Sequence, residues 1–166
     1  KPEVRVARFT VPCNSPNMVE SKSFKLYLNS VNTTRYPSEQ HLLETLQRDI
    51  SAVAGADVAI ELLPVTDPSL DGQTPPGHCI DGLSIDADTA SPDAAMLQVY
   101  GSEVEESLHS HLLRSLCPVT GQPDWASVWV HYKGRTLDHA SLLRYIVSFR
   151  QHQEFHEQCV ERMFGD

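Results

Sequence analysis

The apolar positions in the first part of the chain follow two different periods. Residues 3–11 (EVRVARFTV), 23–30 (SFKLYLNS) and 56–65 (ADVAIELLPV) alternate apolar with polar side chains, which predicts strands. After Pro37 and Ser38 the apolar residues recur at helical spacing, which predicts a helix of about four turns that ends at Gly55. Its apolar positions are Leu42, Leu43, Leu46, Ile50 and Val53.

The second part of the chain repeats this outline. Residues 102–116 (SEVEESLHSHLLRSL) have apolar residues at helical spacing. The corresponding segment in the first part of the chain is a predicted strand, so we predict a strand here as well. Residues 126–134 (ASVWVHYKG) predict a further strand. Residues 138–150 (DHASLLRYIVSFR) and 154–164 (EFHEQCVERMF) predict two helices.

Two β-β-α units in tandem indicate an α+β protein of two modules. The stretch at 64–93 is rich in Pro, Gly, Asp and Ser, which is typical of a linker or long loop around at most one short strand. We therefore predict modules at 1–65 and 94–166, joined by an acidic linker at 66–93. The second module stops before its return strands, so its open sheet edges call for a partner.

Composition and charge narrow the functional class. The chain has 166 residues, 40% of them hydrophobic, and a net charge of -9. The hydrophobic fraction is typical of a globular protein. The negative net charge argues against direct nucleic-acid binding, which needs clustered Lys and Arg. No apolar run is long enough for a membrane span and no signal peptide is recognisable, so we expect a cytoplasmic protein. The start at Lys1 rather than Met suggests a fragment.

The four cysteines are widely spaced and form no C-x-x-C pair, so the sequence predicts no metal site and favours reduced thiols. Cys117 and Asp124 share a stiff loop, LCPVTGQPDW, with two prolines and a glycine. One interpretation is a buried small side chain and a turn residue. The other is a nucleophilic thiol with a proton-donating carboxylate, which suits addition to a polarised multiple bond.

Two further segments carry candidate chemistry. In EFHEQ, His156 and Glu157 flank the apolar stripe to which Cys159 belongs. These two side chains therefore either face solvent or contact a ligand. A glutamate carboxylate accepts paired N–H groups such as those of a purine-like edge. In VESKSFKLYLNS, Lys22 and Lys25 at the start of a predicted strand are either an exposed polar face or phosphate contacts.

Three segments together resemble one family. ESKSFKLYLNS, CPVTGQPDW and FHEQCVERMF are similar to signature sequences of the NADPH-dependent nitrile reductases of queuosine biosynthesis, the 7-cyano-7-deazaguanine reductases of the two-module type. The resemblance implies that Cys117 attacks the nitrile carbon to form a covalent thioimide and that Asp124 donates the proton. His156 would lie beside the reacting group, and NADPH would deliver hydride twice to yield the aminomethyl product.

The resemblance also implies binding residues, a fold and partners. The substrate-binding set is Val19, Glu20, Ser21, His156 and Glu157, and the cofactor-binding set is Ser21, Lys22 and Lys25. The implied fold is the tunnelling fold, in which antiparallel sheets with helices on one face associate into a barrel. We therefore expect a homo-oligomer, with a homodimer favoured.

Family members normally extend beyond both ends of this chain, so reduced turnover is expected. Two alternatives stay open. The first is a catalytically incomplete module that binds a purine-like ligand or only assembles. The second is a zinc-dependent enzyme of the same fold that processes pterins or GTP, although its Cys/His ligand set is not evident in the sequence.

Overall fold

The computed structural model describes residues 3–86 and 91–166 of the chain. It contains helices together with antiparallel and mixed sheets, so the predicted α+β class is confirmed. The chain forms two compact units, Lys1–Gly72 and Gln73–Asp166. Residues 1–2 of the first predicted module and 87–90 of the predicted linker lie outside the described residues.

The first unit has the element order β-α-α-β. Strand β1 (Val6–Thr10) pairs antiparallel with β2 (Ala59–Leu63). Helices α1 (Ser21–Asn32) and α2 (Glu39–Ala54) lie between the two strands along the chain. Two of the three predicted strands, at 3–11 and 56–65, and the predicted helix that ends at Gly55 are confirmed.

The ends of α2 lie where the sequence predicts them. The Ser38 side chain accepts a hydrogen bond from the backbone N–H of His41 at 3.1 Å, which caps the first turn. Gly55 ends the helix with φ of 71°, a left-handed conformation that favours glycine. Ile50 and Ala54 on one face of the helix are buried in the core of the unit.

The predicted strand at 23–30 is wrong, because this segment belongs to α1. The half-buried positions of the segment have helical spacing, and they are Phe24, Tyr27, Leu28 and Val31. Leu26, which the alternating pattern places inside, is 68% exposed. The ring of Phe24 packs edge-on against Phe9 of β1 at 4.8 Å. The first unit therefore does not have the predicted β-β-α outline.

The second unit is built on a long antiparallel hairpin. Strands β4 (Val99–Leu116) and β5 (Pro123–Leu137) form the hairpin, and a short strand β3 (His78–Cys79) pairs parallel with β4. Helices α3 (His139–Ser148) and α4 (His156–Gly165) follow. The strand prediction for 102–116 is confirmed, as are the next strand and both helices.

The core of the second unit lies under α3. Its buried side chains include Leu108, Leu113, Leu143, Tyr145, Phe149 and Cys159. Burying such apolar surface is the main favourable term in folding. Because α4 contributes Cys159 to this core, the helix that begins at His156 is held against the hairpin.

The predicted linker is partly ordered. Ile80, directly after β3, is completely buried, and its backbone N–H donates to the carbonyl of His109 at 3.0 Å. Gly77 precedes β3 with φ of 87°, and a β-carbon there would lie 2.0 Å from the carbonyl oxygen of Ser107. Only glycine fits this close approach, so the backbone before β3 is fixed against β4.

Candidate active site

The loop that contains Cys117 is the turn of the β4–β5 hairpin. The backbone N–H of Cys117 donates to the carbonyl of Gln122 at 2.8 Å, and the N–H of Gly121 donates to the carbonyl of Cys117 at 2.8 Å. Gly121 has φ of 69°, which allows the tight reversal. These bonds close residues 117–122 into a defined turn, so the backbone position of Cys117 is fixed.

The turn also favours the ionised form of Cys117. The Thr120 hydroxyl and the backbone N–H groups of Thr120 and Val119 donate to its sulfur and hold the pKa of the thiol below its ordinary value. Partial burial and the negative charge of Asp124 act in the opposite direction. A partly exposed thiol with a lowered pKa has the properties of a nucleophile.

Asp124 lies opposite Ser115 on the neighbouring strand, just beyond the turn. Its side chain is exposed, and its charge is close enough to act on Cys117. Its backbone carbonyl is 3.2 Å from Nε2 of His156, so that ring nitrogen carries the proton in this contact. The structure thus brings Cys117, Asp124 and His156 together at one end of the hairpin.

The segment before α4 holds His156 in this position. The N–H of Leu116 donates to the carbonyl of His152 at 2.9 Å, and the N–H of Glu154 donates to the carbonyl of Leu116 at 3.2 Å. The Ser115 hydroxyl donates to the carbonyl of Glu154 at 3.1 Å. These bonds attach residues 152–154 to the last residues of β4. Glu157 follows on the first turn of α4 with its side chain exposed.

The first unit places its predicted binding residues at the start of α1. The Glu20 carboxylate caps this helix by accepting from the N–H groups of Lys22 at 2.7 Å and Ser23 at 2.8 Å. These hydrogen bonds lower the pKa of Glu20. Val19 is half-buried and packs against the core of the unit. Ser21 is exposed as the first residue of the helix.

The chemistry of this helix end fits the phosphate groups of a dinucleotide. Lys22 and Lys25 are both exposed and stand three residues apart, so they share one side of the first turn of α1. The Ser21 hydroxyl adds a neutral donor beside them. Because the Glu20 carboxylate already occupies the N–H groups of Lys22 and Ser23, a phosphate here would depend on the side chains.

A large open cavity in the first unit lies away from these residues. It measures about 1010 Å³ and is lined largely by apolar side chains of β1, α1 and α2, including Phe9, Phe24, Leu28 and Leu42. Val19, Glu20, Ser21, Lys22 and Lys25 are outside its lining. The predicted ligand contacts of this unit therefore belong to an exposed helix end and not to the cavity.

One residue that contributes to the thiol environment is missed by the sequence analysis. Thr120 supplies both a hydroxyl and a backbone donor to Cys117. The sequence directs attention to a charged partner of Cys117, but neutral hydrogen-bond donors stabilise its thiolate instead. The signal in the sequence is a hydroxyl residue inside a tight Gly-containing turn directly after the cysteine.

Fold and site together define an α+β protein with an activated thiol, a carboxylate and a histidine around one hairpin turn. The family model described as "Nitrile reductase, 7-cyano-7-deazaguanine-reductase N-term" matches residues 1–62. The model described as "QueF-like protein" matches residues 123–166. The chain is therefore similar to this nitrile reductase family over residues 1–62 and 123–166.

Curated relatives are identical to this chain at about half of the aligned positions. Proteins named NADPH-dependent 7-cyano-7-deazaguanine reductase are 51% identical over 166 residues in Chromohalobacter salexigens and 56% identical over 168 residues in Bordetella pertussis. Both alignments cover 100% of this chain, but 60% and 62% of the two relatives. A third, from Dechloromonas aromatica, is 52% identical and 59% covered. The chain thus spans about 60% of the length of the curated relatives that it matches.

Proposed function

We propose that the protein reduces the nitrile of 7-cyano-7-deazaguanine to an aminomethyl group with NADPH, as a step of tRNA queuosine biosynthesis. The observation that carries the proposal is the Cys117 thiol, whose pKa is lowered by its turn and which lies beside Asp124 and His156. The names of the curated relatives support the substrate and the cofactor.

The first chemical step is addition of the thiol to the nitrile. The Cys117 thiolate forms a C–S bond to the nitrile carbon, and one π pair of the C≡N bond moves to nitrogen. Asp124 supplies the proton that this nitrogen takes up, which yields a neutral thioimide. The same donors in the turn that favour the thiolate also stabilise it as a leaving group when the C–S bond later breaks.

NADPH, when bound, supplies hydride, and two equivalents convert the nitrile carbon to the amine carbon. The Ser21 hydroxyl and the ammonium groups of Lys22 and Lys25 would hold its phosphates. In the second unit, His156 is proposed to supply a second proton to the substrate nitrogen, because its Nε2 contact with the backbone carbonyl of Asp124 holds the ring at the same end of the hairpin as Cys117.

For substrate recognition, we propose that Glu157 accepts two N–H groups of the deazaguanine edge. Its exposed carboxylate on the first turn of α4 suits this bidentate contact. Val19, Glu20 and Ser21 are proposed as base-binding residues of the first unit.

The proposed working form is a cytoplasmic homo-oligomer of tunnelling-fold modules, a homodimer in the first instance, without direct contact to nucleic acid. Open sheet edges support this proposal. Within the part of the chain that the structure describes, β5 pairs on one side only, with β4. Such an edge is a natural site for pairing with a second subunit. None of the helices in the described residues is long and apolar enough to cross a membrane.

The test is the intact mass of the chain after incubation with 7-cyano-7-deazaguanine in the absence of NADPH. A gain of one substrate mass is expected, with loss of the gain in Cys117→Ala. Cys13→Ala is the matched control, because Cys13 is an exposed thiol of the first unit and should leave the adduct intact.

Failure to form the adduct in a folded protein of the relatives' full length would overturn the proposal. Adduct formation without NADPH oxidation in that same protein would instead identify a module that binds the deazapurine but does not reduce it.

A further inference from the structure

Three metal-ligating side chains cluster in the second unit, away from the Cys117 turn. They are Cys79 at the end of β3 and His109 and His111 on β4, and one ligand atom of each lies within 4.8 Å of the others. Cys79 and His111 are exposed, whereas His109 is only 5% exposed. The cluster thus combines a buried anchor with two ligands that a solvent ion can reach.

The strand pairing explains why these residues meet. The parallel register of β3 and β4 places Cys79 directly beside His109. His109 and His111 are two positions apart on β4, where a β-bulge interrupts the pairing with β5 between Ser110 and Leu113. Their rings are 5.3 Å apart. The cluster is therefore held by the β3–β4 pair and by the local bend of β4.

Each histidine has an outer partner that orients its ring. Nδ1 of His109 is 3.2 Å from the carbonyl of Pro76, an acceptor, so this nitrogen carries the proton. Nδ1 of His111 is 2.6 Å from the hydroxyl of Ser127. Both contacts leave Nε2 as the ring nitrogen that can bind a metal. Histidines that bind metals almost always donate their second nitrogen to such a partner.

Asp81 adds a negative charge next to the cluster. Its carboxylate accepts hydrogen bonds from the Ser110 hydroxyl at 2.6 Å and from the backbone N–H of His111 at 3.0 Å. These bonds hold the carboxylate beside β4, where its charge can balance that of a bound cation.

We propose that Cys79, His109 and His111 form a zinc site. Thiolate and imidazole are ligands that Zn²⁺ prefers over hard cations such as Mg²⁺. Binding replaces the S–H bond of Cys79 by an S–Zn bond and releases one proton. The bound ion and the thiolate leave one positive charge, which Asp81 balances. Three protein ligands leave a fourth tetrahedral position for water or another small ligand.

The distances suit this ion after a small adjustment. Zinc bonds of about 2.0–2.3 Å place ligand atoms roughly 3.3–3.7 Å apart in a tetrahedron. Spacings of up to 4.8 Å must therefore contract by up to about 1 Å. Rotation of the exposed Cys79 and His111 side chains can supply this contraction, while His109 stays in place.

The zinc site is separate from the proposed nitrile chemistry and does not depend on it. Five residues lie between His111 and Cys117, which corresponds to roughly 20 Å of extended chain. At the strand pair, the ion would connect β3 to β4 and hold the segment before the hairpin in place.

The test is a metal titration of the chelator-treated chain. Competition with a chromophoric chelator should show one Zn²⁺ per chain, and Co²⁺ should give a thiolate charge-transfer band with tetrahedral visible bands. Cys79→Ser should remove the band and weaken zinc binding by more than about 100-fold, which exceeds the usual effect of losing an outer partner. His111→Gln should weaken binding similarly with the band retained or shifted.

Matched controls separate this site from other thiols and imidazoles. Cys13→Ser, Cys117→Ala and His131→Ala should each bind zinc as tightly as the unsubstituted chain. Circular dichroism checks that every variant is folded. Substoichiometric binding by the unsubstituted chain overturns the proposal. A charge-transfer band that persists in Cys79→Ser, or that disappears in Cys117→Ala, also overturns it.

Discussion

At the scale of single residues, two cysteines of the second unit differ because of their surroundings. The Cys117 sulfur accepts hydrogen bonds within its turn, which lowers the pKa of the thiol. Cys159 is completely buried, and loss of hydration raises the pKa of its thiol to about 11. The Cys117 thiol is therefore more readily ionised than the Cys159 thiol. The prediction that Cys159 is a core residue is confirmed.

The substitution Thr120→Val should raise the pKa of Cys117, because it removes the hydroxyl donor and keeps a side chain of similar size. We expect alkylation of Cys117 by iodoacetamide at neutral pH to slow by on the order of fivefold. Peptide mass spectrometry measures the rate. Thr120→Ser, which keeps the hydroxyl, should react at the original rate, and equal slowing of both variants would contradict the assigned hydrogen bond.

The substitution Asp124→Asn should have opposite effects on two reactions of Cys117. Loss of the negative charge lowers the pKa of the thiol further, so alkylation at neutral pH should become faster. Loss of the proton donor should slow adduct formation with the nitrile by about 100-fold or more. Both rates are measured by intact mass. Parallel changes in the two rates would show that Asp124 acts only through the thiol.

At the scale of elements, α1 shows where the sequence pattern fails. The alternating set Phe24, Leu26 and Leu28 shares two members with the helical set that is actually half-buried, so a short window cannot separate the two periods. The helix is capped by Glu20, which is outside the usual group of Ser, Thr, Asp and Asn. The start signal was therefore not recognised.

Longer elements and local motifs were predictable, and contacts between distant segments were not. The helix at 139–148 has many apolar residues at one period, and the Pro and Gly residues mark the turn of Cys117. The Thr120 donors depend on the exact turn geometry. The neighbourhood of Cys79 and His109 depends on a parallel strand pair between segments far apart in the sequence. The periods of those segments give no information on that pairing.

The substitution Glu20→Gln tests the capping role. The lowered pKa of Glu20 means that its contribution to stability is complete above the ordinary value of 4.5 and is lost as the pH falls through the lower folded value. The unsubstituted chain should thus melt a few degrees higher than the variant at about pH 6, with the difference shrinking as the pH falls below 4.5. Thermal melts monitored by circular dichroism measure this.

Glu161→Gln on the exposed side of α4 is the control for general charge effects. A Glu20→Gln difference that does not depend on pH would contradict the role of the ionised carboxylate as the cap.

The substitution Gly77→Ala should destabilise the second unit by more than about 2 kcal/mol. The added β-carbon would collide with the Ser107 carbonyl, and the left-handed backbone at Gly77 disfavours alanine in addition. Chemical denaturation measures the loss. Gly82→Ala is the matched control, because a β-carbon there has no neighbour within 4 Å. Equal stability of the two variants would contradict the close approach of β3 to β4.

At the scale of the whole molecule, the two units have cores of different size. The buried cluster of the first unit contains Ile50, Ala54 and Val58, whereas that of the second contains eleven residues. Because burial of apolar surface sets most of the stability, the first unit should open more often.

Hydrogen exchange followed by mass spectrometry should therefore show faster exchange in α1 and α2 than in β4, β5 and α3. The protection factors of the two sets of elements should differ by at least about tenfold, because the free energy of local opening varies across a structure. Uniform protection of both units would show that they unfold as one cooperative body.

The length of the hairpin turn has a consequence for sequence variation in the family. Ser115 pairs with Asp124 and Leu116 with Pro123 on either side of the six-residue turn at 117–122. Adding or removing one residue there would shift the register of β5 and turn every side chain of that strand to the opposite face of the sheet. The turn can therefore vary only where a residue neither donates to the thiol nor has a left-handed backbone. An odd change in the number of residues between the thiol and the carboxylate would separate the two groups.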